Sequence, residues 1–549
     1  MKIIPNKIKN PINNRIGVIF FFSKHKSIFI PLLFIISFVL LYFLVDLSSQ
    51  SLVAHDEGLY ARRSRLIEDS YNWFSSPFAK PHHKTLGSYW LIALSIRLFG
   101  NSELSLRLPS ILSSFLCLII SYFIAIKVSN KKAALISLFS LSSMPLWLQY
   151  SRYASPDLPF VLCTLLVIFF FLNYLDSNKY INKYFYIFLS GLFISFSFFV
   201  RSYMAFVPLI GLLPFFAYHL FRSNYIFKTI FISGILIGCT PTFINLYFSY
   251  QKHGVNAFTS LFDFARKQAI GSFDFINYFF TPVKFLYFTF PIGLLLIILF
   301  TFTRSNNKTN YPLLIYCYPI SSLVILLSMS TSYTHYYLFL LPSLSILFAV
   351  KLQSFSFRSL HSKRNIKALL LVLTAFIFCV ILLIVLNYND LLMQYSYRKI
   401  FIIYIVSCLL FLSYLSSARY LFDSKYNSFD LMKFFNNLII PQYISFSLLY
   451  NFGILGNPNF ITKSFINDKV VSSIINSNTI YLYNVDSKIN TLLSYYLPSS
   501  KVLKSVKDVS ISEYFITSDI NIINTLENKS FFKVIKKFDN NFLIMNISK

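Results

Sequence analysis

Acidic residues are scarce. Twenty Asp and Glu stand against 49 Lys and Arg in 549 residues, for a net charge of +29. Charge of either sign is thin, at 13% of the chain beside 56% hydrophobic residues, whereas a soluble globular protein carries about 25% charged residues. That deficit excludes an ordinary soluble domain and points to lipid as the solvent. The six cysteines (Cys117, Cys163, Cys239, Cys317, Cys379, Cys408) are isolated, inside or beside apolar runs, and no CxxC spacing occurs. Neither a zinc finger nor a disulfide framework is indicated. The basic excess does not read as a nucleic-acid surface, because the basic residues punctuate apolar runs and do not line one face. The opening "MKIIPNKIKNPINNRIGVIFFFSKHKS" lacks a small-residue cleavage site and reads as a basic cytoplasmic tail before a retained first span.

What fills the chain is apolar sequence. Uncharged stretches of roughly 17–22 residues match the length a helix needs to cross hydrocarbon. Thirteen are expected, beginning near Ser27, Leu108, Ala133, Leu158, Tyr184, Ser202, Thr229, Phe285, Tyr311, Thr334, Ala368, Ile400 and Leu438. With the N-terminus in the cytoplasm, the inner loops hold most of the Lys and Arg, as the positive-inside rule requires. Two long outer loops break that pattern, residues 46–107 and 251–284. Long polar loops translocate regardless of charge, and loops with no other reason to be long are candidates for function. An odd number of spans leaves the C-terminus outside. From 457 to 549 the apolar runs shorten and alternate. "TIYLYNV", "EYFITSD", "SFFKVIKKF" and "NFLIMNIS" read as strands, and "ITKSFINDKVVSSIINS" and "SKINTLLSYYL" as helices. The expected organisation is therefore a mostly α polytopic membrane domain over 1–456 and a small periplasmic α/β domain over 457–549.

The first outer loop opens on "HDEGLYARRSR", which puts Asp56 and Glu57 beside three arginines where a span ends. Its "YARRSRLIEDSYNWF" has helical periodicity, and "SYWLIALSIRLFG" reads as an amphipathic helix lying on the membrane surface. Acids here can simply begin a helix and pair with the arginines. Asp157 in "SRYASPDLPF" opens the fourth span on the same outer side, where an N-cap role is the plain alternative, with Pro159 in the first turn. Two carboxylates at one membrane surface, each near an aromatic and an Arg, are better explained jointly as a site.

The acidic pair after the first span, "KTLGSYW" (Lys84 to Trp90) and Asp157 together resemble the GT-C superfamily of membrane glycosyltransferases. The lipid A aminoarabinose transferases come nearest, with protein O-mannosyltransferases more distant. "RLFGNSELSLRLPS" and "THYYLFLLPSLSIL" resemble further elements of that pattern, over about the first 350 residues. The resemblance implies a GT-C fold in a bacterial inner membrane and transfer of a sugar from a polyprenyl-phosphate donor to a lipid A, glycolipid or glycan acceptor on the outer face, with inversion. It implies Asp56 as general base, with Asp157 the second catalytic acid. Lys84, Arg201, Arg266 and Lys267 are the cations for the departing phosphate, and Glu57, Tyr60, His83, Tyr89 and Tyr336 line the site. His83 stands where the aminoarabinose transferases carry an acid, Ser332 replaces a lysine, and "LFDFARKQAIG" lacks an expected histidine. A metal would find only His83 and Asp157 as visible ligands, fewer than a site needs, so no cofactor is expected. A polymerase or ligase of lipid-linked glycans would favour outer arginines without requiring the acidic pair. A flippase would place ionisable groups at midplane in a repeated architecture.

Overall fold

The computed structural model describes residues 47–549 apart from 48–49, 55, 72, 74–83, 271–278, 281–282, 284, 287, 303–308, 331–332, 355–359, 388–395, 424–430, 498, 504–512, 519–531, 539–540 and 547–549. The basic tail, the span expected from Ser27, His83 and Ser332 lie outside the described residues.

Helices α1 (Asp56–Ser70) and α2 (Gly87–Phe99) occupy the first long loop. A bundle follows: α3 (Glu103–Val128), α4 (Lys131–Ser143), the short α5 (Pro145–Tyr150), α6 (Asp157–Asp176) and α7 (Tyr180–Arg201). A 3-10 turn, Ser202–Ala205, leads into α8 (Phe206–Phe221), then α9 (Tyr225–Gly238), α10 (Thr240–His253) and α11 (Asn256–Ile270). After α12 (Ile292–Phe302) come a π-turn at Leu313–Cys317, α13 (Tyr318–Ser328), a 3-10 segment at Thr334–Leu340 and α14 (Leu341–Ser354). The bundle ends with α15 (Leu360–Leu386), α16 (Tyr397–Asp423) and α17 (Leu431–Asn451).

Chains this apolar fold as helices because lipid cannot satisfy backbone amides and carbonyls, so each segment must satisfy its own. Where helices start, polar side chains take over. Ser102 Oγ accepts from Ser105 N at 3.2 Å, and Asn130 Oδ1 accepts from Ala133 N at 2.9 Å, which supplies amides that a first turn leaves without partners. Seven helical segments among the described residues are long and apolar enough to cross a membrane: 103–128, 157–176, 180–221, 225–253, 334–353, 364–386 and 397–420. The segment 180–221 carries two of the expected spans, divided at the 3-10 turn. The spans expected from Ala133, Phe285, Tyr311 and Leu438 fall on α4, α12, α13 with its preceding π-turn, and α17. Of these, α4 has 13 residues and is followed after Met144 by α5, while α12 is described from Ile292 to Phe302, where the described residues stop.

At one end of the bundle Lys127 pairs with Asp176, which also accepts from the Tyr311 hydroxyl, and Asn130 and Gln353 exchange amide hydrogen bonds. The opposite end carries the N-termini of α3 and α6, the C-terminus of α7, and α1, α2 and α5.

Beyond α17 the chain forms α18 (Phe460–Ile466), α19 (Lys469–Ser477), β1 (Ile480–Leu482), α20 (Ser487–Tyr496), β2 (Lys501–Val502), β3 (Tyr514–Thr517), β4 (Phe532–Phe538) and β5 (Asn541–Asn546). The sheet order is β2-β1-β3-β5-β4, with β1 parallel to β2 and β3, and β5 antiparallel to β3 and β4. Phe465, Val471, Leu493, Ile480, Ile516 and Leu543 close its main core between helices and sheet. Strand β2, only two residues long, is the one described strand that the alternation of the sequence does not reveal.

Candidate functional site

The site grows from helix ends. Asp56 opens α1 and is exposed, while Tyr60, one turn on, is 4% exposed. Lys84 precedes α2, and its Nζ donates to Tyr60 Oη at 3.2 Å while lying 5.0 Å above the same ring. What brings Lys84 here is the local sequence after it. Thr85 Oγ1 donates to Phe198 O of α7 at 2.9 Å, and a Cβ on Gly87 would stand 2.7 Å from Phe199 O. Only glycine lets the start of α2 lie this close to the last turn of α7. Tyr89 is fully buried behind Tyr60, with ring centroids 5.2 Å apart, and its hydroxyl accepts from Arg63 at 3.1 Å.

Asp157 stands in the first turn of α6 and Arg201 in the last turn of α7, joined at 2.9 Å with side chains only 6% and 13% exposed. Each charge occupies the helix end whose dipole favours it. After Arg201 the chain turns sharply: Ser202 adopts φ 55°, a left-handed conformation that costs a non-glycine residue energy. The guanidinium of Arg201 lies 5.6 Å over the ring of Tyr336, whose hydroxyl donates to Gln268 Oε1 of α11 at 2.6 Å. His335 packs between Tyr150 (5.7 Å), Tyr333 (5.7 Å) and Tyr336 (4.7 Å), measured between ring centroids.

Asp56 and Asp157 act electrostatically on the same groups: Tyr60, Lys84, Tyr150 and His335. Burial lowers the pKa of Lys84; Tyr89 and both aspartates pull it back up, while Arg201 lowers it further. Burial raises the hydroxyls of Tyr60 and Tyr150 far above the ordinary tyrosine range, so both stay protonated donors.

The structure thus brings together Asp56, Tyr60, Lys84, Asp157, Arg201 and Tyr336, with Tyr89 immediately behind. Glu57 is a correction. Expected to line the site, its carboxylate is fully buried and takes Arg107 Nε at 3.0 Å, Arg107 Nη2 at 2.9 Å, Val53 N at 2.9 Å and Ala154 N at 2.7 Å. Arg107 in turn donates to the carbonyls of Leu47, Gln50 and Ser51. Adjacent residues on a helix diverge by about 100°, so Glu57 faces inward when Asp56 faces out. It ties α1 to the turn that presents Asp157. Arg266 and Lys267 are exposed on α11, beside Gln268. His335, Tyr150 and Gln268 were not singled out from sequence; the aromatic-rich "SYTHYY" run around His335 was the available signal. Among the described residues no group of three or more His, Cys, Asp and Glu could hold a metal ion.

This bundle, with long-loop helices over one end and a small α/β domain after it, is a GT-C membrane fold. It superposes on the crystal structure of ArnT from Cupriavidus metallidurans bound to undecaprenyl phosphate with a TM-score of 0.73 at 16% identity, covering 94% of this chain and 98% of that one. Residues 83–247 match the family described as dolichyl-phosphate-mannose-protein mannosyltransferase. The chain is 28% identical over 120 residues to the undecaprenyl phosphate-alpha-4-amino-4-deoxy-L-arabinose arabinosyl transferase of Pseudomonas paraeruginosa, which is 21% of this chain and 22% of that protein. It is 31% identical over 117 residues to the transferase of the same name from Wigglesworthia glossinidia brevipalpis, covering 21% and 20%. The matched segments span about a fifth of the length of these curated relatives. The chain is a multi-pass membrane protein that resembles the aminoarabinose transferases.

Proposed function

We propose that this protein is an integral-membrane glycosyltransferase that moves a hexosyl or pentosyl group from a polyprenyl-phosphate donor to a hydroxyl or phosphate acceptor on lipid A, another glycolipid or a glycan. The observation that supports the reading is the clustering at one end of the bundle of the Asp157–Arg201 pair at 2.9 Å and the Lys84–Tyr60 contact at 3.2 Å, with Asp56 acting on Tyr60 and Lys84. Asp56, the exposed acid, takes the acceptor's proton as the acceptor oxygen bonds to the anomeric carbon. The bond from that carbon to the phosphate oxygen breaks, and its electron pair leaves on the polyprenyl phosphate. Lys84 and Arg201 receive the added negative charge. Asp157 holds Arg201 in place, the buried hydroxyl of Tyr60 orients Lys84, and Arg266 and Lys267 on exposed α11 draw in the anionic headgroup. One base opposite the leaving phosphate gives inversion.

The same reading puts the site and the C-terminal domain on the periplasmic face of a bacterial inner membrane, with the N-terminus cytoplasmic, so that the donor enters sideways from the bilayer. With cations already placed for the leaving group, the reaction needs no cofactor, and transfer should survive thorough chelation. Membranes holding the wild-type chain, Asp56→Asn or Asp157→Asn are tested with a panel of radiolabelled polyprenyl-phosphate sugars, beginning with the undecaprenyl-phosphate aminoarabinose of the curated relatives. Transfer by wild type that either substitution lowers at least about tenfold supports the site; undiminished transfer by both variants removes it.

A further inference from the structure

We infer that the C-terminal α/β domain is a positioning element for the acid-bearing helix α1, an inference that rests on the glycosyltransferase reading above. Helix α20 of that domain lies against α1, and its Leu492 and Tyr495, 0% and 4% exposed, belong to the same buried cluster as Tyr60, Ala61 and Tyr89. The contact is backbone-close: a Cβ on Gly58 would stand 3.3 Å from Leu492 Cα, so α20 rests directly on the turn of α1 that follows Asp56. Polar contacts fix the same docking. Arg65 of α1 donates to Tyr495 O at 3.2 Å, and Tyr495 Oη donates to Asn101 Oδ1 at 2.8 Å. At the start of α3, Glu103 pairs with Lys463 at 2.6 Å and accepts from Tyr496 Oη at 3.1 Å. On the approach to α1, Ser51 N donates to Asn457 Oδ1 at 2.9 Å, and Asn459 Nδ2 donates to Leu52 O at 2.8 Å.

Helix α1 is thereby held from two sides. The Glu57–Arg107 pair anchors its first turn to the bundle, and α20 closes its back. The side chains that α1 offers the site, Asp56 and Tyr60, sit within one turn of both anchors. A catalytic base is sensitive to such support, because a displacement of about 1 Å costs roughly a hundredfold in rate. Arg201 is seated on α7, whereas Lys84 leans on Tyr60 of α1, so loosening α20 disturbs the base and the support of Lys84 more than it disturbs Arg201.

The test uses the full-length chain in detergent. Leu492→Ala is expected to lower kcat about tenfold while KM for the best donor of the panel stays within about twofold, and Leu492→Met restores most of the rate. Hydrogen exchange of the amides of residues 56–64 should speed up in Leu492→Ala and return toward wild type in Leu492→Met. Glu103→Gln, which loosens the domain at its rim and leaves the Leu492 packing intact, gives a smaller loss of the same kind. Unchanged exchange at residues 56–64 in Leu492→Ala, or a KM rise with kcat intact, overturns the positioning role. Asp56→Asn separates the two ideas. If it is inactive while Leu492→Ala turns over normally, only the positioning role fails; if it is fully active, the catalytic site itself fails.

Discussion

Glu57 grips Arg107 through two parallel hydrogen bonds, 3.0 Å to Nε and 2.9 Å to Nη2, with both side chains sealed from solvent. The pair joins the approach to α1, α1 itself, the start of α3 and the backbone at Ala154. Glu57→Gln leaves Arg107 a buried cation without its counter-charge, which costs on the order of 3–5 kcal/mol. The apparent unfolding midpoint of the purified protein should fall sharply, and adding Arg107→Met should recover part of the loss. A wild-type midpoint in Glu57→Gln would show the pair to be dispensable.

The Asp157–Arg201 pair is expected to act as one unit. Asp157→Asn takes from Arg201 its carboxylate partner, and Arg201→Gln removes the cation that the proposed reaction assigns to the leaving phosphate, so each should lower turnover about a hundredfold. The double variant should lose little more than either single one, because both remove the same interaction. Arg398→Gln is the control: its guanidinium lies 4.8 Å over the ring of Phe452, and turnover should hold. Multiplicative losses in the double variant would separate the roles of Asp157 and Arg201.

Lys84 is expected to set the alkaline limit. Its pKa is lowered, first by burial and then by Arg201, against the pull of Tyr89 and both aspartates. The ammonium is the useful form, so its contribution is fully present below the pKa it has in the folded protein. It is lost as pH rises through that value, which lies below the ~10.4 of an unperturbed lysine. kcat/KM should therefore decline on the alkaline side earlier than an ordinary lysine would dictate. Lys84→Arg, whose guanidinium stays charged, should push that decline to higher pH, and Lys84→Met should remove the limb together with most of the rate. An identical alkaline limb in all three proteins would assign the titration elsewhere.

Much of this was legible because charge is conspicuous in so apolar a chain. Asp56, Asp157, Lys84 and Arg201 stand out as isolated ionic residues at span ends, and the bundle brings them to one place. What stayed hidden has physical reasons. Glu57 carries the same chemistry as its neighbour, and only its partner Arg107, fifty residues away, makes it structural. His335, Tyr150 and Gln268 are uncharged at neutral pH in sequence terms and are told from interfacial packing only by what surrounds them in space. The break after Arg201 is implied by a new span expected from Ser202, but the left-handed backbone of Ser202 that executes it is not visible in sequence. The span expected from Ala133 is divided at Met144 into α4 and α5, with Pro145 opening the second helix, because hydropathy alone does not measure where a helix stops.

Asp56 offers the sharpest prediction, because asparagine separates its two roles. As the residue that opens α1, Asp56 can satisfy first-turn amides, and Asn does this about as well as Asp. The substitution Asp56→Asn therefore keeps the helix and its volume, and removes only the negative oxygen proposed to take the acceptor's proton. General-base loss costs about 10²–10⁴ in rate, so kcat should fall by that order with the unfolding midpoint unchanged. Binding of undecaprenyl phosphate, which the proposed reaction assigns to Lys84 and Arg201, should remain or tighten, since one negative charge near the proposed headgroup site is gone. Asp56→Glu keeps a carboxylate but moves it by one methylene, and should retain intermediate activity. Turnover by Asp56→Asn within about threefold of wild type would be far too high for a lost general base; the exposed acid would then serve only α1, and the base would have to be sought elsewhere in the pocket.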